Sequence, residues 1–126
     1  MKRGIIGFAL LAALLAGGIG SSWAMVRWHR PLEVQMNRAA ECALALDWPQ
    51  AEQLHRQTQD QWQTRWHMAA AFADHGPMEE IDSLFAQLEV YEQCRDPLGY
   101  SALCRELAQE LAAMADAHIP NWWNLL

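Results

Sequence analysis

The sequence predicts an all-α chain: an N-terminal transmembrane (signal-anchor) helix followed by an antiparallel up-and-down helical bundle of about four helices. Three observations carry this. An uncharged run of 23 residues, Gly4 to Val26, is opened by Lys2 and Arg3 and closed by Arg27. Beyond it, apolar residues recur at steps of three and four, and proline, glycine and aspartate divide the stripes into segments of helix length. Nothing alternates with a period of two, so no sheet is expected. The domain organisation follows: residues 1–26 as the anchor, 27–120 as an extracytoplasmic bundle, 121–126 as an aromatic tail.

In a helix rising ~1.5 Å per residue, the run spans roughly 35 Å, against a hydrocarbon core of about 30 Å. A cleaved signal peptide is the competing reading, because Ile5 to Ala16 has signal-core length and Ser22-Trp23-Ala24 offers small residues at the cleavage spacing. The retained anchor is favoured, since apolar character continues through Met25 and Val26, and Trp23 and Trp28 stand where an interfacial aromatic belt lies. Lys2 and Arg3 before the run nearly balance Arg27, Arg30 and Arg38 after it, and the very short basic N-terminus places the bulk of the chain outside the cytoplasm. Ala12, Ala16, Gly20 and Ala24 recur every fourth residue, a small-residue stripe on which a second transmembrane helix can approach closely.

Leu32, Met36, Ala39, Ala43 and Leu46 form the stripe of a first amphipathic helix, continuing the span with a kink at Pro31. Asp47 caps the second, with Pro49 in its first turn and Gln50 placed as the reciprocal partner of a capping box. Its buried face is Ala51, Leu54, Thr58, Trp62, Trp66, Ala69 and Ala73, and Gly76-Pro77 stops it near Asp74 or His75. A third helix from about Pro77 to Cys94 buries Ile81, Leu84, Phe85, Leu88 and Tyr91, with Glu79, Glu80 and Asp82 complementing its dipole. Asp96-Pro97 opens a fourth, on Tyr100, Leu103, Leu107, Leu111 and Met114, which Pro120 closes. Short turns at Asp47, Gly76 and Asp96 make sequential helices antiparallel neighbours.

Beyond the span, seven Arg and no Lys face fifteen Asp and Glu, a formal charge of 7 − 15 = −8. A nucleic-acid partner is excluded on that balance. About 100 residues suit one domain with one core.

Asp47-Trp48 with Ala51, Trp62, Asp74-His75 followed by Glu79-Glu80-Ile81-Asp82, Tyr91, and His118-Ile119-Pro120 together give the chain a family likeness. It resembles small, N-terminally membrane-anchored helical proteins of Gram-positive, often spore-forming bacteria, grouped as a domain of unknown function. The resemblance covers nearly the whole chain through helix-packing positions, and departs where Gly76-Pro77-Met78 separates the histidine from the acidic residues. It implies an envelope-facing domain on the cell membrane, an association with sporulation or with another membrane protein, and no established reaction.

His75, Glu79 and Asp82 are the best metal-like cluster, being imidazole and carboxylate ligands suited to zinc. Gly76-Pro77 is expected to break the helix between them, so a helix-terminal role for His75 is favoured and no metal or cofactor is assigned. His55, His67 and His118 fall on different helices, with solvated or core-edge positions as the default. No local motif supplies a nucleophile with a base and an orienting group, so the expected function is a non-enzymatic protein-interaction or structural module. A bundle binding a metal or small ligand is the alternative. Trp62 and Trp66, one turn apart, read as core.

Cys42, Cys94 and Cys104 are expected as buried free thiols, with Cys42–Cys104 the best-matched pair for a bridge. Counting helices returns the C-terminal tail to the membrane, where Trp122 and Trp123 would rest among the headgroups or close the base of the bundle.

Overall fold

Two turns of the same construction organise the computed structural model, which describes residues 2–69 and 75–117, leaving out the side chains of 2–3, 21–22, 25–26, 66–69, 75 and 117. The described residues form four helices: α1 Lys2–Leu44, α2 Trp48–Ala69, α3 His75–Cys94 and α4 Pro97–Ala117. At the first turn, Asp47 N–H donates to the Cys42 carbonyl at 2.9 Å and Leu46 N–H to the Ala43 carbonyl at 3.0 Å. At the second, Asp96 N–H donates to the Tyr91 carbonyl and Arg95 N–H to the Glu92 carbonyl, both at 3.2 Å. This is the Schellman pattern, and its left-handed residue is Leu46 (φ 60°) in one case and Arg95 (φ 53°) in the other.

Each aspartate that closes a helix also opens the next. Asp47 Oδ1 accepts from Gln50 N–H at 3.3 Å, and Asp96 Oδ1 accepts from Leu98 and Gly99 N–H at 3.1 Å each. Helix ends leave such N–H groups without intrahelical partners, so the predicted caps stand where the chemistry asks for them. Gly99 is required there: a Cβ on it would lie 2.4 Å from the Tyr91 ring and 2.6 Å from Asp96 Oδ2. Tyr91 lies over this turn and remains exposed, a correction to its expected place in the core.

α1 packs on α4 and α2, α4 packs on α3, and α2 and α3 approach least closely, while across the diagonal Tyr100 of α4 reaches α2 by its side chain alone. The helices therefore form a ring in chain order. Register confirms that α1 and α2 run antiparallel: Arg65 bonds the Trp28 carbonyl, and Thr58 Oγ1 donates to Gln35 Oε1 at 2.9 Å, so both pairs sum to the same residue number. Side-chain size sets the spacing. α1 and α4 both carry small buried residues, Ala39, Ala40 and Ala43 on one and Ser101, Ala108 and Ala115 on the other, which suits the close approach of this pair. The α2/α3 side holds Trp62, His55 and Phe85, whose rings wedge the helices apart.

The predicted faces are buried at Leu32, Met36, Ala39 and Ala43, at Ala51, Leu54, Thr58 and Trp62, at Ile81, Leu84, Phe85 and Leu88, and along α4 from Tyr100 to Met114. Leu46 departs from its stripe; it sits in the turn, 67 % exposed. α3 opens at His75, so Gly76 and Pro77 belong to its first turn, where a proline lacks no needed donor, and do not interrupt it. α1 runs through Pro31 as one helix. Among the described residues, however, no helix is long and apolar enough to cross a membrane. The described side chains of the expected span run from Gly4 to Gly20 and resume at Trp23 and Ala24. Trp66, Ala69, Ala73, His67 and His118 lie outside the described side chains, as does the tail with Trp122 and Trp123.

Candidate functional site

The most polar part of the core lies between α2, α3 and α4. His55 projects from the buried face of α2, 2 % exposed, correcting its expected solvated or core-edge place. Its Nδ1 is 2.7 Å from Glu92 Oε2, and the ring stacks on Phe85 with an interplanar angle of 7°. A carboxylate is an acceptor, so Nδ1 carries the proton and donates it. Nε2 is then buried with no hydrogen-bond partner among the described residues. Tyr100 meets the His55 ring edge-on and donates its hydroxyl to the Ala51 carbonyl at 3.2 Å.

Cys104, buried one turn along α4 from Tyr100, completes this cluster. Burial, reinforced by the Glu92 charge, pushes its thiol up to about 12, and burial raises Tyr100 likewise, with Cys104 and Glu92 adding to it. A nucleophile needs the opposite shift, towards the ionised form at neutral pH. The cluster ties α2, α3 and α4 together through buried side chains. Sequence periodicity missed His55 because it flanks the strongest apolar stripe of α2, whereas Cys104 is the buried free thiol expected.

The distal end is tied by aromatic and charged contacts. Trp48 packs edge-on against Tyr100 with centroids 5.4 Å apart, the Arg95 guanidinium lies 5.1 Å over the Trp48 ring, and Arg95 pairs with Glu52. Cys94 is exposed here, against expectation, whereas Cys42 is half-buried; the three thiols are free. The Cys42–Cys104 bridge is not formed.

At the opposite end, Trp62 Nε1 donates to Asp82 Oδ1 at 2.8 Å and meets His29 edge-on. This bond places Asp82 in a structural role. His75, Glu79 and Asp82 share one helix at i, i+4 and i+7 after all, but the His75 side chain is outside the described residues and Glu79 is exposed. Among the described residues no group of three His, Cys, Asp or Glu can hold a metal ion.

The described side chains of the N-terminal half of α1 are exposed. Ile5, Phe8, Leu11, Leu14, Leu15 and Ile19 are 55–74 % exposed. Ala12, Ala16 and Gly20 of the small-residue stripe are exposed and Ala24 is half-buried, and a Cβ on Gly20 would meet nothing within 4 Å. Where this segment joins the bundle, Trp28, Asp60, Gln61, Thr64 and Arg65 line an open groove of about 490 Å³. No family model, curated protein or solved structure matches the chain.

Proposed function

We propose that the chain is a single-span envelope protein whose N-terminal segment anchors it in the cell membrane and whose bundle, outside the cytoplasm, is a non-enzymatic protein-interaction or structural module. The observation that carries this is the uncovered apolar half of α1, continuous with a helix whose other half is core. Burial of a large apolar side chain is worth roughly 1.5–3 kcal/mol, so a row of them in water is a strong drive towards lipid or a partner. The uncharged run extends that segment to 23 residues in the sequence. The resemblance to small anchored helical proteins points the same way and rests on the quoted residues alone.

Membrane fractionation of the full chain tests the anchor. Wild type is expected to resist alkaline extraction and Leu11→Arg with Leu14→Arg to release it; a wild-type chain that extracts as a monomer sinks the reading. Intact mass separates a retained anchor from a cleaved one. A membrane-impermeant maleimide is expected to label the exposed Cys94 in whole cells, and protection until lysis would reverse the orientation. Ala16→Leu with Gly20→Leu is expected to abolish crosslinking to a membrane partner if the stripe is the contact.

A further inference from the structure

α1 passes from its uncovered half into the bundle through one ring of residues, and the α1/α2 side of that ring is basic and aromatic. Trp23 is 73 % exposed and Trp28 is 43 % exposed. Arg27 and Arg30 are exposed, and among the described residues neither makes an ion pair. Arg65 reaches the same depth from α2, because the antiparallel register sets it against Trp28, whose carbonyl accepts its guanidinium. Burial holds Arg65 below the ordinary arginine range, so an anionic ligand in the groove would be favoured by a poorly hydrated cation. Among the described residues, Asp60 is the single carboxylate lining that groove. The α3/α4 side of the ring has the opposite sign, with Glu79 and Glu80 exposed near the start of α3 and Asp116 exposed near the end of α4.

We propose that Arg27 and Arg65 with Trp28, joined by Arg30 from the face of α1 that continues Glu33, Asn37 and Glu41, bind the phosphates of anionic phospholipid headgroups and seat the bundle on the membrane by its α1 and α2 base. This rests on the anchored reading of α1. Arginine forks match phosphate oxygens in pairs, and indole rings favour the headgroup layer. Repulsion of Glu79, Glu80 and Asp116 from the same surface lifts the α3/α4 side, so the charge asymmetry fixes the tilt as well as the contact.

The test uses the full chain in vesicles of phosphatidylcholine alone and of phosphatidylcholine with about one-third phosphatidylglycerol. Co-sedimentation with both reports the anchor; thermal unfolding followed by circular dichroism reports the docking, since a ligand of the folded state alone raises Tm. Wild type is expected to melt about 5 °C higher in the anionic vesicles, with the difference erased by ~0.5 M salt. Arg27→Gln with Arg30→Gln is expected to abolish the difference while keeping the Tm in neutral vesicles. Arg38→Gln, also exposed but farther along α1, is expected to keep it. Equal melting in the two lipids, or a difference that survives Arg27→Gln with Arg30→Gln, overturns the docking and leaves the anchor standing. Failure to sediment with either vesicle overturns both.

Discussion

Leu46 and Arg95 occupy equivalent left-handed positions, yet their side chains do different things. Leu46 is 67 % exposed, so its conformation is strained with nothing in the chain gained in return. Leu46→Gly is therefore expected to raise stability by about 1 kcal/mol in urea unfolding. Arg95→Gly relieves the same strain but removes the Glu52 pair and the stacking over Trp48, so it is expected to be neutral or destabilising. Thiol chemistry separates residues just as sharply. Cys94 should react with a maleimide in the folded state, Cys42 more slowly, and Cys104 only on unfolding. Since the Cys104 thiol is held at about 12 in the fold against an ordinary 9, the unfolded chain releases its proton first. Stability is thus expected to fall as pH rises through the interval from 9 to 12, with Tyr100 adding to the fall. Below pH 9 this thiol adds no pH dependence. The urea midpoint measured from pH 8 to 11 should decline less steeply in Cys104→Ala.

At the scale of the helix pair, the two sides of the ring respond to opposite changes in volume. The α1/α4 side is closed by alanines, so Ala40→Leu inserts methylenes where two backbones already meet and is expected to cost about 1–3 kcal/mol. The α2/α3 side is held open by rings, so Trp62→Ala is expected to cost about 3–5 kcal/mol through the cavity it leaves. Trp62→Phe keeps most of the packing and isolates the Asp82 bond, which double-mutant analysis with Asp82→Ala would measure at about 1–3 kcal/mol. Ala86→Leu, on an exposed position of α3, is expected to be silent. Chemical denaturation checks all five.

For the whole molecule, the bundle begins at the first buried described side chain, His29. The described side chains before it are exposed, Ala24 alone being half-buried. A chain beginning at Arg27 is expected to fold, to remain monomeric in gel filtration, and to melt within a few degrees of the full chain in detergent. A loss of cooperative melting in that fragment would show that the N-terminal half of α1 helps to hold the bundle together. The net charge of −6 is unevenly spread, and the cationic ring at the α1/α2 base is its main exception.

Local chemistry alone determined where most of the helices begin and end, and which faces they bury. The aspartate caps, the prolines in first turns and the three-four spacing of Leu32, Met36, Ala39 and Ala43 are interactions within a few residues, so they are legible in order along the chain. Residues at the edge of a stripe were decided by neighbours far away in sequence. His55 is buried because Glu92, 37 residues on, accepts its proton, and Tyr91 stays outside because Gly99 leaves a seat for it on the turn. Leu46, in step with its stripe, was thrown out by the turn that caps α1. The Arg65–Trp28 bond, and with it the cationic base, exists only once α2 folds back in register on α1. Periodicity names a face, and only the packed partner says how far round the helix that face extends.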